Sequence, residues 1–315
     1  MPSVSGSRPP LRPEPAARGL ATADPEEVAD LVGAAWAGVL ALAGRLDLDR
    51  PTRVPGRTVR DVLVPLGSWP EHTRFARLVD DVRRGRQPEA DDVDARDALL
   101  VAAHRDADAV ELVAALTQAR DRSLAFLTGP DAVELGLEVV DSPVGPLPLT
   151  GVVVAAAYDL AVHALDATAA DDVPPGLLDA GIGALVDTTG ALAARNGVRA
   201  TFAVLTPLGG WACGAEGESW TTLRLDAGVP LGELHWPTLA GDAADVLDAS
   251  AGRRAALTLL LGRRLRLHDV PGLMTLLPAL DGVPGLPGGA ALRAAAQTLG
   301  HTGRLMGRLS SALRS

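Results

Sequence analysis

Three polar side chains interrupt an otherwise small and apolar segment, LTGVVVAAAYDLAVHALDATAA, at residues 149–170. Asp159, His163 and Asp166 are spaced i, i+4 and i+7, which places them on one face of a helix. A helix that is apolar on nearly all sides is buried, and charges inside it must be paired or bound to a metal. The spacing therefore predicts either a metal ligand pair with Asp166 supporting His163, or an Asp–His pair that satisfies itself within a helical bundle.

Four helices in the first half of the sequence are expected to position this face. Helical apolar spacing predicts helices at residues 25–45, 93–127 and 149–170, the first of them capped by Asp24. Thr58 and Asp61 have the spacing of a capping pair and open a further helix, whose pattern contains Pro65. A proline there removes a backbone donor and kinks the helix. Helices joined by modest loops are typical of an antiparallel four-helix bundle.

The second half has a different texture, because short apolar runs replace the long helical patterns. The pattern predicts helices at 176–195, 241–251 and 270–277 and strands at 198–205, 219–225, 231–236 and 263–268. The predicted fold class is therefore α + (α+β), with a four-helix bundle followed by a smaller α+β domain. The predicted division is a flexible tail at 1–20, a bundle at 21–172, an α+β domain at 173–281, and a linker with a C-terminal helix at 282–315.

Composition excludes several classes of function. The net charge of −10 and the absence of a long basic run argue against a nucleic-acid partner. No lysine is present, which excludes Schiff-base chemistry. No uninterrupted apolar run reaches the ~18 residues of a membrane span, and the Pro- and Arg-rich start lacks the apolar core of a signal peptide. We therefore expect a cytoplasmic protein that does not bind membranes.

Four motifs occur in the order found in one bacterial family. They are PTRVPGRTVRDVLVPL (51–66), SPVGPLPL (142–149), YDLAVHALD (158–166) and LAGDAADVLDASAGRR (239–254). Over residues 25–280 the chain resembles the mycothiol-dependent maleylpyruvate isomerase-like family. The resemblance implies a DinB-like bundle that holds a divalent metal, usually zinc, through His, Glu and His, and a sterol-carrier-like second domain. It also implies mycothiol as the thiol cofactor, activated by the metal.

The resemblance assigns the metal ligands residue by residue. His163 corresponds to the last histidine, and Asp159 takes the place of the glutamate with one methylene fewer. Pro65 stands at the first histidine and offers no donor atom. Asp61 or His72 could replace the missing ligand, His72 only if the kink repositions it.

Two functions remain open from the sequence. The first is a mycothiol-dependent isomerase or transferase that acts on a small electrophile, as a monomer or homodimer. In that reading Arg253 binds a substrate carboxylate, although it could equally complement a helix C-terminus. The second is a non-catalytic relative that has lost the metal and binds a ligand or a protein. A purely structural bundle fits the polar stripe less well.

Overall fold

A computed structural model describes residues 10–70, 74–86, 92–230 and 234–276 of the protein. The helices are α1 (Pro25–Ala43), α2 (Val59–Leu63), α3 (Arg74–Arg83), α4 (Val93–Ala103), α5 (Ala109–Thr128), α6 (Pro130–Leu135), α7 (Leu149–Ala167), α8 (Pro175–Arg195), α9 (Ala243–Ser250), α10 (Ala256–Leu261) and α11 (Val270–Met274). The strands are β1 (Val139–Val140), β2 (Leu147–Pro148), β3 (Ala200–Thr206), β4 (Gly209–Glu216), β5 (Ser219–Leu225), β6 (Thr238–Gly241) and β7 (Leu265–His268). A helical N-terminal region and a sheet-containing C-terminal part confirm the predicted α + (α+β) class.

The strands form two sheets. β1 and β2 make a small antiparallel pair, and the remaining strands make a five-stranded sheet in the order β5-β4-β3-β6-β7. β3 and β6 run parallel, whereas the other neighbours run antiparallel. β5 and β7 are therefore the two edges of the larger sheet.

Capping residues decide where the N-terminal helices begin. Asp24 accepts a hydrogen bond from the Glu26 N–H at the start of α1. Thr58 and Asp61 form the predicted capping box, and the chain continues past α2 into a 3-10 turn at Val64–Leu66. This second helix is shorter than expected because Pro65 removes the backbone donor that would extend it.

The predicted helix at 93–127 is wrong as one element, since the structure contains two. α4 ends at Ala103, and Asp108 begins α5 by accepting hydrogen bonds from the N–H groups of Val110 and Glu111. Glu111 completes a capping box at this point. A capping box satisfies backbone donors at a new helix start, so it favours a break over a continuous helix.

In the sheet region, three predicted strands match β3, β5 and β7, whereas β4 was missed. Its sequence, GGWACGAE, has two adjacent glycines and no clear alternation. The predicted strand at 231–236 is wrong for the described residues 234–236, which contain two bends and no strand, and the next strand is β6. The predicted linker and helix at 282–315 lie outside the described residues.

α8 connects the helical region to the sheet, since it packs against α1, α7, β4 and β5. Close approach depends on small residues. A Cβ at Gly181 would lie 2.5 Å from the Cβ of Ala161 in α7, and one at Gly183 would lie 2.9 Å from the Trp211 ring in β4. One hydrophobic cluster consequently runs from the helices into the inner face of the sheet.

α7 and α8 are also long and apolar enough to cross a membrane, if length and composition alone are considered. Both helices contain a few charged residues, so neither includes an uninterrupted apolar run of ~18 residues. In the most apolar 18-residue stretch of each helix, 67% of α7 and 83% of α8 is buried inside the protein. Burial in the core therefore accounts for their apolar character.

The chain before α1 is attached to the sheet rather than free. Arg18 bridges to Trp220 of β5, and Leu20 is buried in the main core. The expected flexible tail at 1–20 is thus fixed at its C-terminal end, while its first nine residues lie outside the described part. Gly19 adopts φ +54°, and a Cβ there would lie 2.0 Å from Asp187 Oδ1.

Asp187 of α8 is the anchor for this attachment. Its Oδ1 accepts hydrogen bonds from the Leu20 N–H (2.9 Å), the Trp220 indole N–H (3.1 Å) and the Thr222 hydroxyl (2.7 Å). Burial raises the pKa of the Asp187 carboxyl, and these three donors only partly offset that effect. The carboxylate is therefore satisfied by hydrogen bonds but destabilised by its charge.

We expect Asp187→Ala to lower the free energy of unfolding by about 2–4 kcal/mol, because three buried donors lose their acceptor. Asp187→Asn keeps an acceptor oxygen and is expected to be milder. Since the pKa of Asp187 is higher in the folded than in the unfolded chain, its contribution makes the wild type more stable as pH falls through the folded pKa. Urea unfolding across about pH 4–8 should show this component in the wild type and not in Asp187→Asn. Identical pH profiles would contradict the assignment.

Candidate functional site

The three polar residues of α7 do not share one environment. Asp159 is exposed, His163 is partly buried, and Asp166 is buried with 2% of its surface accessible. The face that carries them passes from solvent into the interior along the helix. The structure therefore separates the residues that the sequence placed at one buried site.

Asp166 is the centre of a four-residue ionic cluster. Its carboxylate accepts hydrogen bonds from Arg53 Nε at 2.8 Å and from Arg253 Nη2 at 2.7 Å. Arg53 also donates from Nη1 to Asp248 at 2.9 Å, and the Arg253 N–H donates to the Asp248 carbonyl oxygen at 2.8 Å. Two arginines thus balance two buried carboxylates.

Three separate parts of the chain supply this cluster. Arg53 comes from the loop between α1 and α2, Asp166 from the last turn of α7, and Asp248 and Arg253 from α9 and the turn after it. Burial lowers the pKa of Arg53, but its hydrogen bonds to Asp248 and Asp166 outweigh this and leave the pKa raised. The cluster ties the helical region to the α+β part.

His163 does not receive the expected support from Asp166. The Nδ1 atom of His163 is buried and has no hydrogen-bond partner in the described part of the chain. A guanidinium offers Asp166 charged and bidentate hydrogen bonds, which are stronger than a bond from a neutral imidazole. The expected His163–Asp166 contact is therefore replaced by the two arginine contacts.

The candidate replacement ligands are placed as follows. Asp61 accepts a hydrogen bond from the Thr58 N–H at 2.8 Å and so is engaged in the cap of α2. Pro65 lies in the 3-10 turn that follows α2. His72 lies outside the described residues. Among the residues that the structure does describe, no group of three His, Cys, Asp or Glu side chains could hold a metal ion.

Tyr158 lies beside the ionic cluster and was missed by the sequence analysis. Its hydroxyl is 3.1 Å from the Ser250 hydroxyl, which joins α7 to α9. Burial raises the pKa of Tyr158 to about 12, against the hydrogen bond to Ser250 and the positive charge of Arg253, which lower it. The phenol is therefore a neutral hydrogen-bonding group at ordinary pH.

Arg253 was expected to bind a substrate carboxylate, but in the structure it binds the internal carboxylate of Asp166. Arg53 and Asp248 were also missed. A buried aspartate requires a cation, so Asp166 signalled that a partner exists. Nothing in the spacing identified Arg53, which is 113 positions away.

Comparison with known families finds a match within the helical region of the chain. The family model described as mycothiol maleylpyruvate isomerase N-terminal domain matches residues 29–168. Residues 29–168 are therefore similar to a domain of this family. This isomerase-type domain begins within α1, ends after α7, and includes Arg53, His163 and Asp166.

Two solved structures resemble about three quarters of the chain weakly. One is a mycothiol-dependent maleylpyruvate isomerase, with 15% identity and a TM-score of 0.46 over 76% of this chain and 93% of that chain. The other, a histidine-to-alanine mutant of the same enzyme, gives 15% identity and a TM-score of 0.46 over 75% and 92%. No curated protein matches the chain. Likeness at this level carries no argument about the site.

The described residues of the isomerase-type domain do not fit a zinc centre of the His, Glu and His type. Pro65 has no side-chain donor, and Asp159 is exposed on the outer part of α7. Of the three ligand positions, His163 alone offers a buried nitrogen without a hydrogen-bond partner among the described residues. A catalytic zinc takes three protein ligands and one open position, which this set does not provide.

We expect Asp166→Asn to lower the free energy of unfolding by about 2–3 kcal/mol, because both arginines lose their shared counter-charge. The value is below that for a fully buried pair, since Arg53 and Arg253 side chains are 34% and 37% exposed. Asp30→Asn, on the exposed face of α1, is the control and should change stability by less than about 0.5 kcal/mol. Equal effects of the two substitutions in urea unfolding would contradict the role of Asp166 in the ionic cluster.

Tyr158 is the only tyrosine of the chain, so its ionisation can be followed directly by ultraviolet absorbance. We expect a titration midpoint of about 12 in the folded protein. Urea-unfolded protein should titrate near the ordinary value of about 10. Ser250→Ala removes a hydrogen bond that lowers the pKa of Tyr158, so this variant should shift the midpoint further upward. Coincident folded and unfolded midpoints would show that Tyr158 is not buried as described.

Proposed function

We propose that this chain is a non-catalytic relative of the mycothiol-dependent maleylpyruvate isomerases that binds a small molecule without zinc. The observation that carries the proposal is Pro65, which stands where the family resemblance places the first histidine ligand and has no donor atom. α2 ends before Pro65, whose backbone lies in a 3-10 turn. The helix therefore does not bring another side chain to the ligand position. We further propose a cytoplasmic protein that is a monomer or homodimer.

The thiol chemistry implied by the resemblance depends on a complete metal site. A bound divalent metal lowers the pKa of a coordinated thiol and supplies the thiolate nucleophile. Without the metal, an ordinary thiol with a pKa of about 8.5 stays mostly protonated at neutral pH. Mycothiol bound here would therefore be a poor nucleophile, which favours binding over isomerisation.

The ionic cluster suggests what kind of small molecule fits. Arg53 and Arg253 use part of their guanidinium groups on Asp166 and Asp248, and each keeps about a third of its side chain exposed. Tyr158 and Ser250 add two hydroxyl groups next to them. Such a surface favours a small polar molecule with an acidic group.

A second candidate is a metal-dependent isomerase or transferase that acts on a small electrophile. The unpartnered Nδ1 of His163 favours it, because buried ring nitrogens normally have a hydrogen-bond or metal partner. His72 would have to supply the missing ligand, or Asp61 would have to leave its capping box. This alternative makes a different prediction about zinc content.

Zinc content of the purified full-length protein distinguishes the two functions. We expect wild-type protein saturated with zinc and then desalted to retain well below one zinc per chain by elemental analysis, with His163→Ala unchanged. The double variant Pro65→His with Asp159→Glu restores the donor set and is expected to retain more zinc than the wild type.

One zinc per chain in the wild type, lost in His163→Ala, would overturn the metal-free proposal in favour of the second candidate. His72→Ala and Asp61→Asn would then show which residue completes the site. The circular dichroism of each variant is compared with the wild type, so that lost zinc is not confused with lost folding.

A further inference from the structure

A shallow groove runs along the outward side of α5, and its volume is about 570 Å³. Its lining residues all belong to this helix, and they are Ala114, Thr117, Gln118, Asp121, Arg122 and Ala125. Their spacing, by three and one positions in turn, places them on one helical face. Leu112, Leu116 and Leu127 are buried on the opposite side of the same helix. The groove therefore lies on a face of α5 that no other described element lines.

The charges on this face differ from those of the chain as a whole. The chain has a net charge of −10, so two copies repel each other over most of their surface. The centre of α5 carries two arginines, Arg120 and Arg122, on either side of one carboxylate, Asp121. This part of α5 is therefore a positively charged patch on an acidic protein. Such a patch is a place where a second copy can approach with complementary charge.

The charged side chains of the face are already held by their neighbours. Asp121 has a side chain that is 60% exposed, and Arg120 Nη2 lies 2.7 Å from its carboxylate. Arg122 donates from Nη1 to the hydroxyl of the buried Ser68 at 2.7 Å. Side chains that are fixed before association lose less conformational freedom when a partner binds. The face is therefore prepared for a contact.

The order of residues along the face is complementary to its own reverse. We consider two antiparallel α5 helices, related by a two-fold axis between positions 119 and 120. Gln118 then lies opposite Asp121 of the second copy, and its amide N–H can donate to that carboxylate. Arg122 lies opposite Thr117 of the second copy, whose hydroxyl can accept a charged hydrogen bond. Each contact occurs twice, as a two-fold interface requires.

We propose that two copies of this chain form a homodimer through antiparallel packing of α5. Ala114 and Ala125 face each other at both ends of the contact, and their small side chains permit an interaxial distance of about 8–10 Å. α5 has 20 residues and is about 30 Å long. One such helix pair is a small interface, near or below the roughly 1,200 Å² of stable complexes. The dimer is therefore weak, and its fraction rises with protein concentration.

This homodimer refines the proposed function but does not depend on it. α5 supplies no residue to the ionic cluster, which comes from the loop before α2, from α7, and from α9 with the turn after it. Association is measured without zinc and without a ligand. A failure of the dimer therefore leaves the metal-free proposal standing, and the reverse also holds.

Sedimentation velocity of the full-length protein at increasing concentration tests the dimer. We expect the weight-average sedimentation coefficient of the wild type to rise with concentration. Asp121→Arg and Gln118→Asp change exposed residues and should each raise the dissociation constant about tenfold, because like charges then meet across the axis. Asp226→Arg makes the same change of charge as Asp121→Arg at an exposed position after β5, and it should associate like the wild type. Circular dichroism checks that each variant is folded.

An equimolar mixture of Asp121→Arg and Gln118→Asp tests which residues face each other. In a mixed dimer the two substituted positions lie opposite each other with opposite charges, so association should return towards that of the wild type. A wild type that stays monomeric at every concentration overturns the proposal. A dimer that both substitutions leave intact overturns it too, because that dimer uses another surface. A mixture that associates no more than its components overturns the antiparallel pairing and with it the proposal.

Discussion

The ion pairs of the buried Asp166 carboxylate are the interactions on which the arrangement of this protein depends. Asp166 binds Arg53 from the loop before α2 and Arg253 from the turn after α9. Segments from both halves of the chain therefore meet at the end of α7. Burial of a charge is tolerated only when its partners are held in place. The positions of both arginines, and of Asp248 beside them, are thereby linked.

α8 complements this ionic connection with an apolar one. Helices α1 and α7 lie on one side of it and strands β4 and β5 on the other, and glycines permit both contacts at short range. The ionic cluster and the shared core therefore act on the same pair of regions. A ligand bound near Arg53 and Arg253 would contact the junction between the helical region and the sheet, which the ionic cluster and the shared core both stabilise.

Local signals made the starts of α1 and α2 and the fold class predictable from the sequence, although the capping box that begins α5 was missed. The capping box of Thr58 and Asp61 and the cap of α1 at Asp24 were recognised because they depend on residues within four positions. The site was predicted less well. Helical spacing placed Asp159, His163 and Asp166 on one face, but it carries no information about how deeply each end of α7 is buried. Arg53 was missed because its partner is distant in sequence, and β4 because its glycines hide the strand pattern.

The attachment of Leu20 to Asp187 bears on how the chain is made. The two residues are 167 positions apart, and the surface that receives Leu20 also requires Trp220 and Thr222 of β5. Leu20 leaves the ribosome before β5 has been synthesised, so its binding surface is then incomplete. Such distant contacts form late and slow the final assembly. The segment around Leu20 is therefore among the last parts of the described chain to reach its native position.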